Sequence, residues 1–451
     1  MTPFSVAWSD AALDGLRARI RAYRFPNAPE DAGWRYGCDP AFLRALCAYW
    51  ADGFDMRGAE ALLNRYPQVT HRVEGIDLHA MHVVGEAGGR RPLLLTHGWP
   101  GSVFEFWEIV EPLAFPSRFG GRPDDAFDLV IPSLPGFGFS GKPRTPIGAR
   151  TTARLFDTLM REGFGYPRYF AQGGDWGAAV TAWLALEHAG SVWSIHLNSV
   201  LVMPAGEPHT EEEKAWRSTR AAAEEALGGY QVLQRTRPQS LAYAMVDNPV
   251  AQAAWIVERL HDWADLRERP FDAVFTRDQI LTEVMIYVMN DAFLTASWFY
   301  AAAPAEGVNL MPEGRRVRIP TAVAAHPDPR APFPPRSWVE RGLRRRALDR
   351  PAGRRAFRRD GGAGPVRGGR AGVGSRHPSS LSAASYARSP YERGVPVFSC
   401  PGVICFPDER DAVIVDAPVP VQVQALAFHD PNLGSKRLWA DRPSSTLTTR
   451  K

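Results

Sequence analysis

Gly173-Gly174-Asp175-Trp176-Gly177 follows the apolar run Tyr169-Phe170-Ala171-Gln172, and its small residues flank an acid at the spacing that a sharp strand-to-helix turn requires. The side chain at the apex of such a turn is thrust out of the sheet, so the residue there sets the chemistry. A carboxylate attacks carbon by displacement and leaves an alkyl ester. The expected substrate is therefore an electrophilic carbon with a poor leaving group, not an acyl compound.

Further strands flank this turn. Val73, Glu74-Gly75, Ile76, Leu78 and Met81-His82-Val83-Val84 show a period of two and read as a hairpin. Pro92-Leu93-Leu94-Leu95 leads into the loop Thr96-His97-Gly98-Trp99-Pro100-Gly101-Ser102, and Phe127-Asp128-Leu129-Val130-Ile131 ends in Pro132-Ser133-Leu134-Pro135-Gly136. Ser194 to Asn198 and Arg318 to Ala325 are further strands. Strands alternating with helical stretches predict an α/β fold with a mostly parallel sheet, its functional groups on loops at the C-terminal ends of the strands.

Ahead of the sheet, Leu13, Leu16 and Ile20 predict a helix over Asp10 to Tyr23, and Asp39-Pro40 opens a second, with Asp39 as N-cap and an apolar face from Phe42 to Trp50. Between Pro204 and Pro312 the strand signal gives way to helical stretches at Glu211 to Leu227, Pro249 to Leu260 and Thr282 to Tyr300, a lid inserted into the sheet. The predicted organisation is an N-terminal helical extension (1–70), the first part of the core (71–203), the lid (204–312), a return to the core (313–342) and a divergent tail (343–451).

The 451 residues are 45% hydrophobic and 23% charged, a globular composition with no apolar run long enough to span a membrane. No basic segment followed by an apolar core opens the chain, which reads as cytoplasmic. The net charge of +4 is concentrated in the Arg-rich stretch Arg341 to Arg393, so it does not argue for a nucleic-acid-binding domain. Cys38, Cys47, Cys400 and Cys405 lack partners at zinc-ligand spacing, and neither a metal nor an organic cofactor is implied.

Four motifs in this order resemble those of the epoxide hydrolases of the microsomal and juvenile-hormone type, members of the α/β-hydrolase superfamily with an N-terminal helical extension. They are His97-Gly98-Trp99-Pro100, the turn at Asp175, Gly229-Tyr230, and Thr295-Ala296-Ser297-Trp298-Phe299-Tyr300. The resemblance runs to about Gly342. It implies an epoxide and water as substrates, a diol as product, and a role in detoxification or aromatic-hydrocarbon catabolism. Asp175 would be the nucleophile, and the backbone N–H groups of Trp99 and Trp176 would hold the oxyanion, with His97 a structural member of that loop. Tyr230 and Tyr300, which read by themselves as packed core or interface tyrosines, would donate to the epoxide oxygen. Asp328 is the candidate triad acid; its alternative reading is a surface-turn aspartate before proline. A haloalkane or haloacid dehalogenase is the rival, using the same aspartate and holding halide on the indoles of Trp99, Trp176 and Trp298.

After Gly342 the resemblance stops. Relatives of this kind continue with a last strand and a Gly-Gly-His-Phe segment, whereas this chain reads Leu343-Arg344-Arg345-Arg346 and then an Arg/Gly/Ala-rich stretch of disordered composition. Such composition is what GC-rich codons yield in a shifted frame; the alternative readings are an arginine-glycine tail for nucleic acid and a genuine small appended domain. Both the last strand and the catalytic histidine are therefore expected to be missing. His326 and His377 are weak substitutes, and the chain would trap its substrate as an ester or survive as an inactive relic.

Overall fold

The computed structural model describes residues 1–267, 269–325, 333–349, 401–407 and 412–418. The chain opens with β1 (Thr2–Phe4), α1 (Asp10–Ala22), α2 (Pro40–Asp52) and α3 (Met56–Leu63). Ser9 Oγ accepts from the Ala12 N–H, and Asp39 Oδ1 accepts from Ala41 and Phe42 at 2.7 and 2.9 Å. Each such cap is worth about 1 kcal/mol. Leu13, Leu16 and Ile20 of α1 and Leu43, Leu46 and Trp50 of α2 turn inward, as their helical spacing predicts. The extension is not wholly helical, because β1 pairs antiparallel with β2 (Gln68–Val73).

β2 and β3 (Ile76–Val83) form the expected hairpin across Glu74-Gly75, both residues at positive φ, the backbone that a two-residue turn needs to follow strand twist. Beyond it lie β4 (Pro92–Thr96), β5 (Asp128–Pro132), β6 (Tyr169–Gly173), β7 (Val192–Leu197), β8 (Val317–Ala324) and β9 (Leu343–Asp349). The nine strands lie in the order β1-β2-β3-β5-β4-β6-β7-β8-β9, and all pairings from β5 through β9 are parallel. Every residue of β4, β5 and β6 is buried, the signature of central strands covered on both faces. Helices α4 (Trp107–Ala114), α5 (Ala149–Thr158) and α6 (Asp175–Glu187) connect them. After β4 the chain steps to β5 on one side and then to β6 on the other. The loops following β4 and β6 therefore emerge together at a topological switch point.

The segment between β7 and β8 is helical: α7 (Glu211–Leu227), α8 (Gly229–Thr236), α9 (Pro238–Met245), α10 (Pro249–Trp263), α11 (Phe271–Val274), α12 (Arg277–Met289) and α13 (Phe293–Glu306). The stretch expected to be one helix from Thr282 to Tyr300 is two, broken at Asn290-Asp291-Ala292, where Asp291 takes φ 46°. No residue in that break is Gly or Pro, so composition gave no warning.

α14 (Arg336–Gly342) follows β8, and here the expectation of a lost final strand is corrected: β9 pairs in parallel with β8. The exposed edge of β8 offers a row of backbone donors and acceptors, and a ladder on that edge needs no apolar side-chain period. Two further strands, β10 (Pro401–Pro407) and β11 (Ala412–Pro418), pair antiparallel, so the tail is not without structure over its described residues. The apolar run Val413 to Val415 falls within β11.

Candidate active site

Asp175 is the first residue of α6 and takes φ 50°, a left-handed conformation that costs a non-glycine residue about 1–3 kcal/mol. Interactions at both ends of the residue hold it there. Its N–H donates to Ser199 Oγ at 3.0 Å, and its Oδ1 accepts the Trp99 N–H at 2.8 Å. Small neighbours make room for the turn. A Cβ on Gly177 would lie 1.9 Å from the Thr96 carbonyl oxygen, and one on Gly98 would lie 2.3 Å from both Asp175 Cβ and Oδ1. The Trp176 N–H belongs to the first turn of α6, whose amides have no intrahelical acceptor.

The loop after β4 is fixed from three sides. Nε2 of buried His97 accepts the Leu134 N–H at 3.0 Å, which leaves Nδ1 to carry the proton and donate to the Gly98 carbonyl at 2.9 Å. Burial lowers the His97 pKa to about 4, so this ring is a neutral strut at neutral pH. From α12, Tyr287 donates to the Gly101 carbonyl at 2.8 Å, and Glu283 Oε2 accepts from Ser102 Oγ at 2.9 Å. Pro100 follows Trp99 through a cis peptide.

Aromatic rings from sheet and lid converge beside Asp175. Tyr300 meets Trp176 edge-on with centroids 5.0 Å apart, and it meets Trp99 at 5.7 Å and Tyr230 at 6.1 Å. Tyr230 stacks on Trp99, 10° from parallel at 5.4 Å. Burial pushes the Tyr300 hydroxyl well above the ordinary phenol range, and the neighbouring Tyr230 and Asp175 push it further, opposed by a hydrogen bond with Trp176. It is a protonated donor at neutral pH. Trp298 lies two residues before Tyr300 on α13, about 200° around the helix, and is only half-buried.

The two tyrosine-bearing helices are anchored differently. Thr295 Oγ1 of α13 donates to the Gly136 carbonyl at 2.5 Å. At the other end of α13, Glu306 accepts from Gly148 N (2.8 Å) and Thr151 Oγ1 (2.6 Å) at the start of α5. Tyr300 therefore rides on a helix tied at both ends to the core. Tyr230 rides on α8, tied to α10 of the lid by a hydrogen bond from Trp255 Nε1 to Gln234 Oε1 at 3.1 Å.

Two acids that the motifs did not single out sit behind the loop. Glu283 is buried, and burial pushes its carboxyl up to about 8. Glu105 is pushed well above the carboxylate range by burial, then by Glu283 and Asp175, against a hydrogen bond from the Gly98 backbone. The signal for Glu283 was present in the sequence: it is the one charged residue in Ile280-Leu281-Thr282-Glu283-Val284-Met285-Ile286, where an acid is costly unless it is held neutral. Asp328, His326 and His377 lie outside the described residues. Among the described residues no group of three or more His, Cys, Asp and Glu is placed to hold a metal ion, and no helix is long and apolar enough to cross a membrane.

An acid delivered by a strand-to-helix turn at the switch point of a parallel sheet, beneath helices inserted between two later strands, defines an α/β-hydrolase fold. Residues 91–230 match the alpha/beta hydrolase fold family and residues 1–106 match the epoxide hydrolase N terminus. Epoxide hydrolase 1 of Sus scrofa is 30% identical over 368 residues, spanning 75% of this chain and 80% of its own length. The juvenile hormone epoxide hydrolase of the silkworm Bombyx mori superposes with a TM-score of 0.68 at 26% identity, over 77% of this chain and 87% of that one. The Aspergillus niger epoxide hydrolase does so at 0.66 and 27%, over 77% and 89%. The chain belongs to the epoxide hydrolase family, hydrolases that act on ether bonds.

Proposed function

We propose that this chain opens epoxides through an ester on Asp175. Oδ2 attacks a ring carbon, the C–O bond breaks toward oxygen, and that oxygen takes a proton from Tyr300 or Tyr230, leaving a glycol monoester and a phenolate. Oδ1, held by the Trp99 N–H, becomes the ester carbonyl oxygen. Attack of water on Cγ then places negative charge on that oxygen between the Trp99 and Trp176 amides, and collapse releases the diol. The observation that carries this reading is the packing of the Tyr230 and Tyr300 rings on Trp99 and Trp176, the residue whose amide holds Asp175 Oδ1 and the residue that follows Asp175.

The second half needs a base to take the water's proton, worth about 10²- to 10⁴-fold. Asp328 is the acid we assign to orient such a base, but the sequence after Gly342 lacks the Gly-Gly-His-Phe segment that would supply it. We infer that the ester accumulates. Incubation with styrene oxide should add the substrate's mass to the intact protein at Asp175, with little diol, and Asp175→Asn should abolish the adduct. Rapid diol release by the chain as written overturns the lost-base reading, and absence of adduct and diol together overturns the nucleophile. The buried Trp99 Nε1, which has no hydrogen-bond partner among the described residues, favours a second reading as a dehalogenase. Halide release from a chloroalkane, without reaction of styrene oxide, is its signature.

A further inference from the structure

Tyr300 is fixed to the core at both ends of its helix, whereas Tyr230 sits one residue after Gly228-Gly229, the junction of two lid helices. A Cβ on Gly228 would lie 2.4 Å from the Glu224 carbonyl oxygen, so the turn is tight and glycine is required there. Such a junction does not by itself hold a phenol in one orientation. Besides the rings of Trp99, Trp263 and Tyr300, the side chain of Arg259 of α10, which is 4% exposed, reaches it. Its guanidinium carbon lies 4.9 Å from the Tyr230 ring centroid and 5.9 Å from that of Trp263. Nη1 donates to the Leu227 carbonyl at 3.4 Å, the last residue of α7 before the junction. Nη2 is paired with Glu258 and, at 3.0 Å, with Asp262.

We propose that Arg259 is a positioning residue for ring opening. It pins the α7–α8 junction and the Tyr230 ring, and it places a cation over the ring into which negative charge spreads as the phenol gives up its proton. This role rests on the reading of Tyr230 as a donor to the epoxide oxygen. As the C–O bond breaks, its electron pair passes to oxygen, the phenol proton follows, and the phenolate left behind is delocalised into a ring that faces a guanidinium rather than only apolar carbon. Glu258 and Asp262 hold the cation in place, which is why a buried arginine is tolerated at this position.

The test is a double-mutant cycle on the rate of Asp175 adduct formation with styrene oxide, followed by quenched intact-mass measurement. Arg259→Met should slow the adduct about tenfold in the otherwise unchanged chain, and less than about twofold when Tyr230→Phe is already present. Arg259→Lys keeps a charge between Glu258 and Asp262, and so keeps the fold, but loses the planar fork. It should repeat the same cycle at about threefold. Equal slowing of both backgrounds, by either variant, overturns the proposal, because a merely structural arginine adds its effect regardless of Tyr230. So does a wild-type rate in both Arg259 variants. If Tyr230→Phe itself reacts at the wild-type rate while Asp175→Asn does not react, the donor role of Tyr230 has failed and the role of Arg259 fails with it. If Asp175→Asn still forms adduct, the ring-opening reading itself is wrong.

Discussion

Replacing Gly98 by alanine tests whether the Trp99 amide and the Asp175 carboxyl form one unit. A Cβ at position 98 would stand 2.3 Å from Asp175 Cβ, 2.3 Å from Oδ1 and 2.6 Å from Cγ. All three atoms are held, since Asp175 is pinned at its N–H by Ser199 and at Oδ1 by Trp99, so no flexible chain end can swing away. Restoring a tolerable separation of about 3.0 Å requires a displacement of about 0.7 Å, the difference between that limit and the 2.3 Å contact. Directed along the Trp99 N–H bond, this stretches 2.8 Å to about 3.5 Å, beyond a useful hydrogen bond. A misplacement of about 1 Å at a reacting centre costs of the order of 10²-fold, so the adduct rate with styrene oxide should fall about 10- to 100-fold. The assay is the quenched intact-mass time course, with circular dichroism and a melting curve on the same preparation. A folded Gly98→Ala protein that alkylates at the wild-type rate refutes the coupling. The contrasting control is Gly177→Ala, whose Cβ would meet the Thr96 backbone at 1.9 Å and which should fail to fold.

Other expectations follow from the same geometry. Glu283 holds its proton in the folded protein up to about pH 8, whereas the unfolded chain releases it near the ordinary glutamate value of 4.5. Stability therefore falls as pH rises through that window, and Glu283→Gln should flatten the decline in Tm between about pH 5 and 8; a decline of unchanged slope in the variant sinks this assignment. Tyr300→Phe should slow adduct formation about 10²-fold or more. Because burial and its neighbours hold the Tyr300 proton above the ordinary phenol range, the wild-type rate should show no alkaline decline up to about pH 10. A decline centred near pH 8 to 9 assigns the proton donor to some other group.

The parts of the site legible in the sequence were those where a rigid backbone demands a particular residue. Gly98, Gly173 and Gly177 are required by close approach, and the acid between Gly173 and Gly177 had to be thrust out of the sheet by the turn, so its position could be read without the structure. Tyr300 was legible through its motif, and that motif includes Thr295, which ties the helix to Gly136. What stayed hidden is what depends on packing between distant segments. Arg259 is 29 residues from Tyr230 in sequence yet over its ring, and Glu105 and Glu283 come together from the β4 loop and α12. The break at Asn290-Asp291-Ala292 was hidden for another reason: apolar residues continue on both sides, since α12 and α13 are both buried nearly all round.

The position of the sequence divergence in the sheet is what separates the two halves of the proposed reaction. Every group assigned to ring opening comes from residues 97–300, on the loops after β4 and β6 and on the lid. The divergent chain enters at β9, three strands away from β6, which at about 4.8 Å per strand is a lateral distance of roughly 14 Å. A strand laid on the edge of β8 can close the sheet by backbone pairing alone, because hydrogen-bond ladders do not discriminate among side chains. A general base cannot be supplied that way, since it requires one titratable ring at one position. On the proposed mechanism, change at this edge would leave the fold and the nucleophilic carboxylate in place while removing the step that regenerates it. Such a chain should react once per molecule, and the stoichiometry of adduct to protein should approach one without diol accumulating.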